Sequence, residues 1–289
     1  MNQIHNPHGA IDTPTRYVET NGRKLAYRSI GAGEPLILCV RFRGVLDVWD
    51  PAFLDALAER FQVVTFDYSG LGSSTGEASY DPRSLAQDVI DLADALDLKT
   101  FFLGGWSLGG QAAQVVAITH PERVRKLILI GTAPPGKVQH LPEQAFFERA
   151  LKFDNDLDDE IVLFFEPASE RSRAAAKASR ERIAQRNSDR SPVVAEETYL
   201  RLLQSSAGPA DELFIDRGDY RETLAASSIP MLVISGDHEI VFPVQNWFAM
   251  IPSWRSLHLF LIPQAGHGPH HQEPRLCADL IVSFAATAN

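Results

Sequence analysis

Gly104-Gly105-Trp106-Ser107-Leu108-Gly109-Gly110 follows the apolar run Thr100-Phe101-Phe102-Leu103 and opens into Gln111-Ala112-Ala113-Gln114-Val115-Val116-Ala117. The pattern predicts a strand, a sharp turn and a helix, with Ser107 at the apex. There the serine stands clear of the backbone, and the helix behind it aims unpaired N–H groups and its positive dipole end at the same point. The two backbones approach so closely at such a reversal that a Cβ at Gly105 or Gly109 would collide. A glycine-rich turn can also carry an incidental serine, so the partners of Ser107 decide its meaning.

Upstream, Tyr17 to Thr20 and Arg23 to Arg28 alternate across Asn21-Gly22, a strong hairpin signal. Leu36-Ile37-Leu38-Cys39-Val40 is a continuous apolar run suited to a strand buried on both faces. Asp50-Pro51 caps a helix, Gln62 to Phe66 returns as a strand, and Asp81-Pro82 starts a helix with Leu85, Val89, Leu92 and Leu96 on one face. Downstream, Lys126 to Gly131 is another buried strand, after which the β/α alternation stops. Residues 137–229 read as helices: Pro142 to Phe153, Leu157 to Phe165, Ala168 to Asn187 and Pro192 to Leu203. Strands resume at Pro230 to Gly236 and Trp254 to Ile262, followed by a helix from Pro274 to Phe284.

The expected architecture is an α/β fold with a mostly parallel central sheet flanked by helices. Its core spans 16–136 and 230–289, a helical cap is inserted over 137–229, and residues 1–15 form a flexible tail. Phe146, Phe147, Leu163, Phe164 and Phe165 are assigned to packing within the cap rather than to a pocket wall. The acidic stretch Asp154 to Glu160 and the basic stretch Arg171 to Arg190 are read as solvated helix faces.

The chain has 289 residues, 45% of them hydrophobic, and a formal net charge of −10. That charge disfavours nucleic acid and anionic membrane surfaces as partners and favours a small molecule. Cys39 and Cys277 are the two cysteines, both in apolar segments, which excludes a disulfide framework and suggests a reduced, cytoplasmic setting. No signal-peptide pattern or membrane-length apolar run is present. Nothing in the pattern specifies an oligomeric state.

A serine hydroxyl is a weak nucleophile and needs a general base held by an acid. Gln264-Ala265-Gly266-His267-Gly268-Pro269-His270-His271 follows the last strand, at the sheet edge where Ser107 also lies, and His267 is the expected base. No second cluster at ligand spacing accompanies this histidine-rich turn, so no metal is expected. Gly236-Asp237-His238-Glu239 follows the preceding strand and offers two carboxylates, Asp237 and Glu239, either of which could hold an imidazole.

The order serine, acid, histidine on successive loops, joined to the elbow and the inserted helices, resembles the α/β-hydrolase superfamily over nearly the whole chain. The resemblance implies an acid at the fourth position of Gly-x-x-Asp-x-x-x-Pro. Glu239 stands there in Gly236 to Pro243, with Asp237 as the fallback, and some acyl-homoserine lactonases in the family show a similar exchange of Asp for Glu. It also implies a structural role for Asp67 in Asp-x-x-Gly-x-Gly-x-Ser, and an oxyanion hole made of the Leu108 and Phe42 amides. The family's His-Gly pair is replaced here by Val40-Arg41, and Arg41-Phe42-Arg43-Gly44 resembles a bacterial subgroup of uncharacterised hydrolases. Arg41 and Arg43 are expected to pair with acidic surface residues, substrate carboxylate contact being the alternative.

Serine at the elbow argues against epoxide hydrolases and haloalkane dehalogenases, which carry Asp there. The resemblance thus implies a cofactor-free serine hydrolase of esters or lactones. Thioesterase, C–C hydrolase, peptidase and perhydrolase chemistry, or a ligand receptor with little turnover, are the alternatives.

Overall fold

The computed structural model describes residues 9–205 and 208–287. The chain opens on the expected hairpin, β1 (Arg16–Thr20) and β2 (Arg23–Ile30), with Thr20 opposite Arg23. Asn21 and Gly22 both sit at positive φ (47° and 77°), the backbone that matches a two-residue turn to strand twist. Then come β3 (Glu34–Cys39), α1 (Pro51–Ala58), β4 (Phe61–Phe66), α2 (Pro82–Ala95), β5 (Phe101–Trp106), α3 (Leu108–Thr119) and β6 (Val124–Ile130). Asp50 and Asp81 cap α1 and α2, their side chains accepting the Ala52 and Arg83 N–H groups at 2.9 Å, and proline follows each cap as the pattern predicts.

The insertion carries α4 (Gln144–Ala150), α5 (Leu157–Phe164), α6 (Glu170–Ala184), α7 (Glu196–Ser205) and α8 (Tyr220–Ala226). The last of these packs against α3 in the core layer. The chain finishes with β7 (Met231–Gly236), α9 (Gln245–Phe248), β8 (Leu257–Ile262), α10 (Pro269–Gln272) and α11 (Pro274–Ala286). β8 begins three residues later than Trp254 and, over Leu257 to Phe260, alternates half-buried with exposed positions, as an edge strand with one open side does.

The eight strands form one sheet in the order β1-β2-β4-β3-β5-β6-β7-β8. β1, β2 and β4 pair antiparallel, and every pair from β4–β3 to β7–β8 is parallel. The central strands β5 and β7 are buried along their length, and β6 is buried except at Arg125. From β3 the chain winds toward β4 on one side and later resumes at β5 on the other. The carboxyl ends of β3 and β5 therefore border the crevice where ligands bind in such sheets.

Two expectations are corrected here. Of the tail expected over 1–15, residues 1–8 lie outside the described residues, while Ala10 and Thr13 are buried against the fold. The Ala10 N–H donates to Asp55 Oδ1 (2.7 Å), and Arg186 donates to the Ile11 and Thr13 carbonyls. The basic run in the insertion is not wholly a solvated face either. Arg182 bonds the fully buried Asp50 through Nη2 (2.6 Å), and Arg186 Nε lies 3.2 Å from Asp47. These pairs fasten the end of α6 and the segment just after it to the core. No helix among the described residues is long and apolar enough to cross a membrane.

Candidate active site

Ser107 is held at φ +59° between β5 and α3, a conformation costing a non-glycine residue about 1–3 kcal/mol. Neighbouring groups enforce it. Its N–H donates to the Ile130 carbonyl (2.9 Å), and its own carbonyl accepts the Gly110 N–H and the Thr132 hydroxyl, both at 2.8 Å. A Cβ at Gly105 would meet the Gly109 carbonyl, and one at Gly109 the Cys39 carbonyl, which is the close approach expected from the sequence.

His267 lies on the loop after β8, 3% exposed. Its Nδ1 is 2.7 Å from Glu239 Oε2, so the carboxylate assigns the proton to Nδ1 and leaves Nε2 as an acceptor. The Trp106 indole N–H donates to the His267 carbonyl (2.9 Å), fastening the loop to the residue before Ser107. Phe164, Trp106 and Phe242 surround the imidazole, with ring centroids 5.7–6.0 Å away.

Glu239 is buried, and its Oε1 accepts the Val241 (2.8 Å) and Phe242 (3.2 Å) N–H groups. Asp237 instead faces His238, with Oδ1 2.6 Å from that ring's Nδ1 and 3.3 Å from the Ala265 nitrogen. This contact with Asp237 raises the pKa of the His238 imidazole. Of the two carboxylates, Glu239 is the one in contact with His267.

His270 and His271 are buried behind the site. His271 Nδ1 lies 2.9 Å from Ser179 Oγ, which also bonds Asp50. Neither His270 ring nitrogen has a partner among the described residues, and the ring packs on Trp49, Phe53 and Trp106. Burial first, then neighbouring positive charge, pushes the His270 pKa well below the usual histidine value. Burial likewise holds His271 at about 4.

Ser107, His267, Leu108 and Phe42 all line one cavity of about 580 Å³ between core and insertion. Phe146, Phe147, Leu163 and Phe164 line it too. Of the five residues assigned to packing within the cap, Phe165 is the one in the cluster with Ile161 and Ala176. The other four line the cavity, and Phe164 also packs against that cluster, so the insertion's apolar side chains serve both its own packing and the cavity wall.

Arg41 and Arg43 enter no ion pair among the described residues, contrary to expectation. Arg41 lies over the Trp106 and Phe164 rings (5.2 and 4.8 Å) and donates to the Phe42 carbonyl (2.7 Å). Burial, with the Arg43 charge beside it, lowers the Arg41 guanidinium to about 10. Asp67 accepts the Leu46 and Ser73 N–H groups (2.7 and 2.8 Å) and the Ser191 hydroxyl, joining core loops to the α6–α7 link.

Gly131 escaped the sequence reading. At φ +47° it ends β6, and a Cβ there would sit 2.7 Å from the His267 carbonyl and 3.0 Å from Glu239 Oε2. A glycine closing an apolar run was the available signal.

A family model described as the alpha/beta hydrolase fold matches residues 34–274. The pimeloyl-[acyl-carrier protein] methyl ester esterase of Yersinia enterocolitica is 28% identical over 84% of this chain and 89% of its own. The proline iminopeptidase PfmaB of Pestalotiopsis fici is 26% identical over 92% and 98%. Among solved structures, an alpha/beta hydrolase fold protein from Chitinophaga pinensis has a TM-score of 0.85 at 27% identity, covering 97% of this chain and 100% of that one.

Proposed function

The chain belongs to the α/β-hydrolase family, and on that premise we propose that it is a serine hydrolase cleaving a small-molecule ester or lactone through an acyl-enzyme. The observation that carries this reading is the buried Glu239–His267 hydrogen bond of 2.7 Å, on the cavity that Ser107 lines. His267 Nε2 takes the Ser107 proton as Oγ attacks the acyl carbon, and Glu239 stabilises the imidazolium. The developing oxyanion is met by the Leu108 N–H at the start of α3 and by the Phe42 N–H. His267 returns its proton to the leaving alcohol, then deprotonates the water that releases the acyl group. These steps need no cofactor.

The mostly aromatic and aliphatic wall favours an apolar acyl group, and the methyl ester esterase relative favours an ester bond. A receptor with little turnover drew its support from the altered oxyanion loop. The similarity to an esterase over most of the chain makes turnover the better reading.

A panel of short and medium p-nitrophenyl esters, γ-lactones, acyl-homoserine lactones, thioesters and N-terminal prolyl amides tests it. Highest kcat/KM on an ester or lactone, abolished by Ser107→Ala, is expected. Preference for a thioester or a prolyl amide would replace the proposed substrate class.

A further inference from the structure

Arg43 occupies a backbone position that suits glycine. Arg41 to Gly44 form a turn closed by the Gly44 N–H donating to the Arg41 carbonyl (2.9 Å). Arg43, the third residue, sits at φ +57°, where a type II turn calls for glycine and a side chain is disfavoured. The guanidinium leaves the core and ends among carbonyls of the insertion. It donates to Lys152 (2.7 Å), to Phe153 and, at 3.5 Å, to Ala150, at the end of α4 where a helix leaves carbonyls unpaired. Its face lies over the Tyr199 ring of α7 (4.3 Å), whose hydroxyl donates to the same Ala150 carbonyl (2.8 Å).

The same turn carries Phe42. Arg41 fixes its carbonyl, and its ring packs against Tyr80 and Tyr199 (centroids 4.6 and 5.7 Å). Tyr199 thus touches both the Phe42 ring and the Arg43 guanidinium.

We propose that Arg43 is a positioning residue for oxyanion stabilisation: its grip on the insertion holds a backbone conformation the loop would otherwise leave, and that conformation keeps the Phe42 N–H aimed at the acyl oxygen. Seating of the cap and assembly of the oxyanion hole then become one event. The proposal rests on the serine-hydrolase reading above.

The test compares wild type, Arg43→Ala and Arg43→Gly for kcat and KM on p-nitrophenyl butyrate. It also measures inhibition by an alkyl trifluoromethyl ketone, whose hemiketal oxyanion with Ser107 reports on the hole alone. Arg43→Ala should lower kcat by about 10- to 100-fold, part of the loss seen when an oxyanion donor is removed outright. KM should stay within about threefold, and the ketone's Ki should rise in step with the fall in kcat. Arg43→Gly, free to adopt positive φ without the tether, should recover part of that loss.

Equal kcat and Ki in wild type and Arg43→Ala, a change confined to KM, or a glycine variant no faster than the alanine one would each overturn the proposal. Arg43→Gln carries the same comparison if the alanine protein does not fold. A wild type that neither hydrolyses any ester nor binds the ketone overturns the serine-hydrolase reading itself, and this proposal with it.

Discussion

Glu239 is one methylene longer than the aspartate its loop spacing calls for, and the surroundings accommodate that length. Gly131 leaves the space, and the Val241 and Phe242 amides hold one oxygen while the other meets His267. Glu239→Gln should therefore lower kcat by about 10³- to 10⁴-fold, by analogy with loss of the acid in other triads. Asp237→Asn, altering a group turned toward His238, should cost less than about threefold; steady-state kinetics on one ester decides the ranking. Gly131→Ala forces a Cβ against the His267 loop at positive φ and should lower both kcat and Tm. Ser107, His267 and the competing carboxylates were legible from spacing, because the elbow and the two loops are local patterns. The choice between Asp237 and Glu239 needed the family resemblance, since either side chain can hold an imidazole. Gly131 acts through residues more than a hundred positions away, which no local pattern encodes.

Among the elements, α10 has the clearest pH consequence. Folded His270 and His271 hold their pKa values below the unfolded value near 6.5. Above that pH both states leave them neutral and their contribution to stability is complete. As pH falls below it, the unfolded chain takes up protons that the folded chain refuses, and stability is lost down to about pH 4, where His271 titrates in place. Each histidine contributes about 1.4 kcal/mol per pH unit within that window. Unfolding free energies from urea titrations should be lower at pH 5 than at pH 7 in wild type, and His270→Phe, in its aromatic surroundings, should narrow that difference by up to about 2 kcal/mol.

The helices of the insertion were legible, whereas their facing was not. A stripe of phenylalanines looks the same whether it covers a cavity or a neighbouring helix. Likewise, the Arg182–Asp50 bond joins residues 132 positions apart, so Arg182 carried no mark separating it from a solvated cation.

At the scale of the whole molecule, the hairpin, the buried runs and the β/α alternation announced the mostly parallel sheet. The order in which its strands lie beside one another depends on crossover directions that burial patterns do not record. Both cysteines are buried and free; burial raises the Cys39 thiol to about 12 and raises Cys277 as well. A disulfide-exchange reagent at pH 8 should give no thiol signal from the native chain and two equivalents after unfolding. The sheet brings the ends of β5, β7 and β8 to one edge, where Ser107 and His267 line the cavity and Glu239 bonds His267 from behind.

The most direct test of that convergence is intact-protein mass spectrometry after exposure to a fluorophosphonate. One covalent adduct, mapped by peptide digestion to Ser107 and absent from Ser107→Ala and from heat-unfolded protein, is the predicted result. A wild-type chain that stays unlabelled, or a Ser107→Ala chain that labels as fast, would contradict Ser107 as the nucleophile.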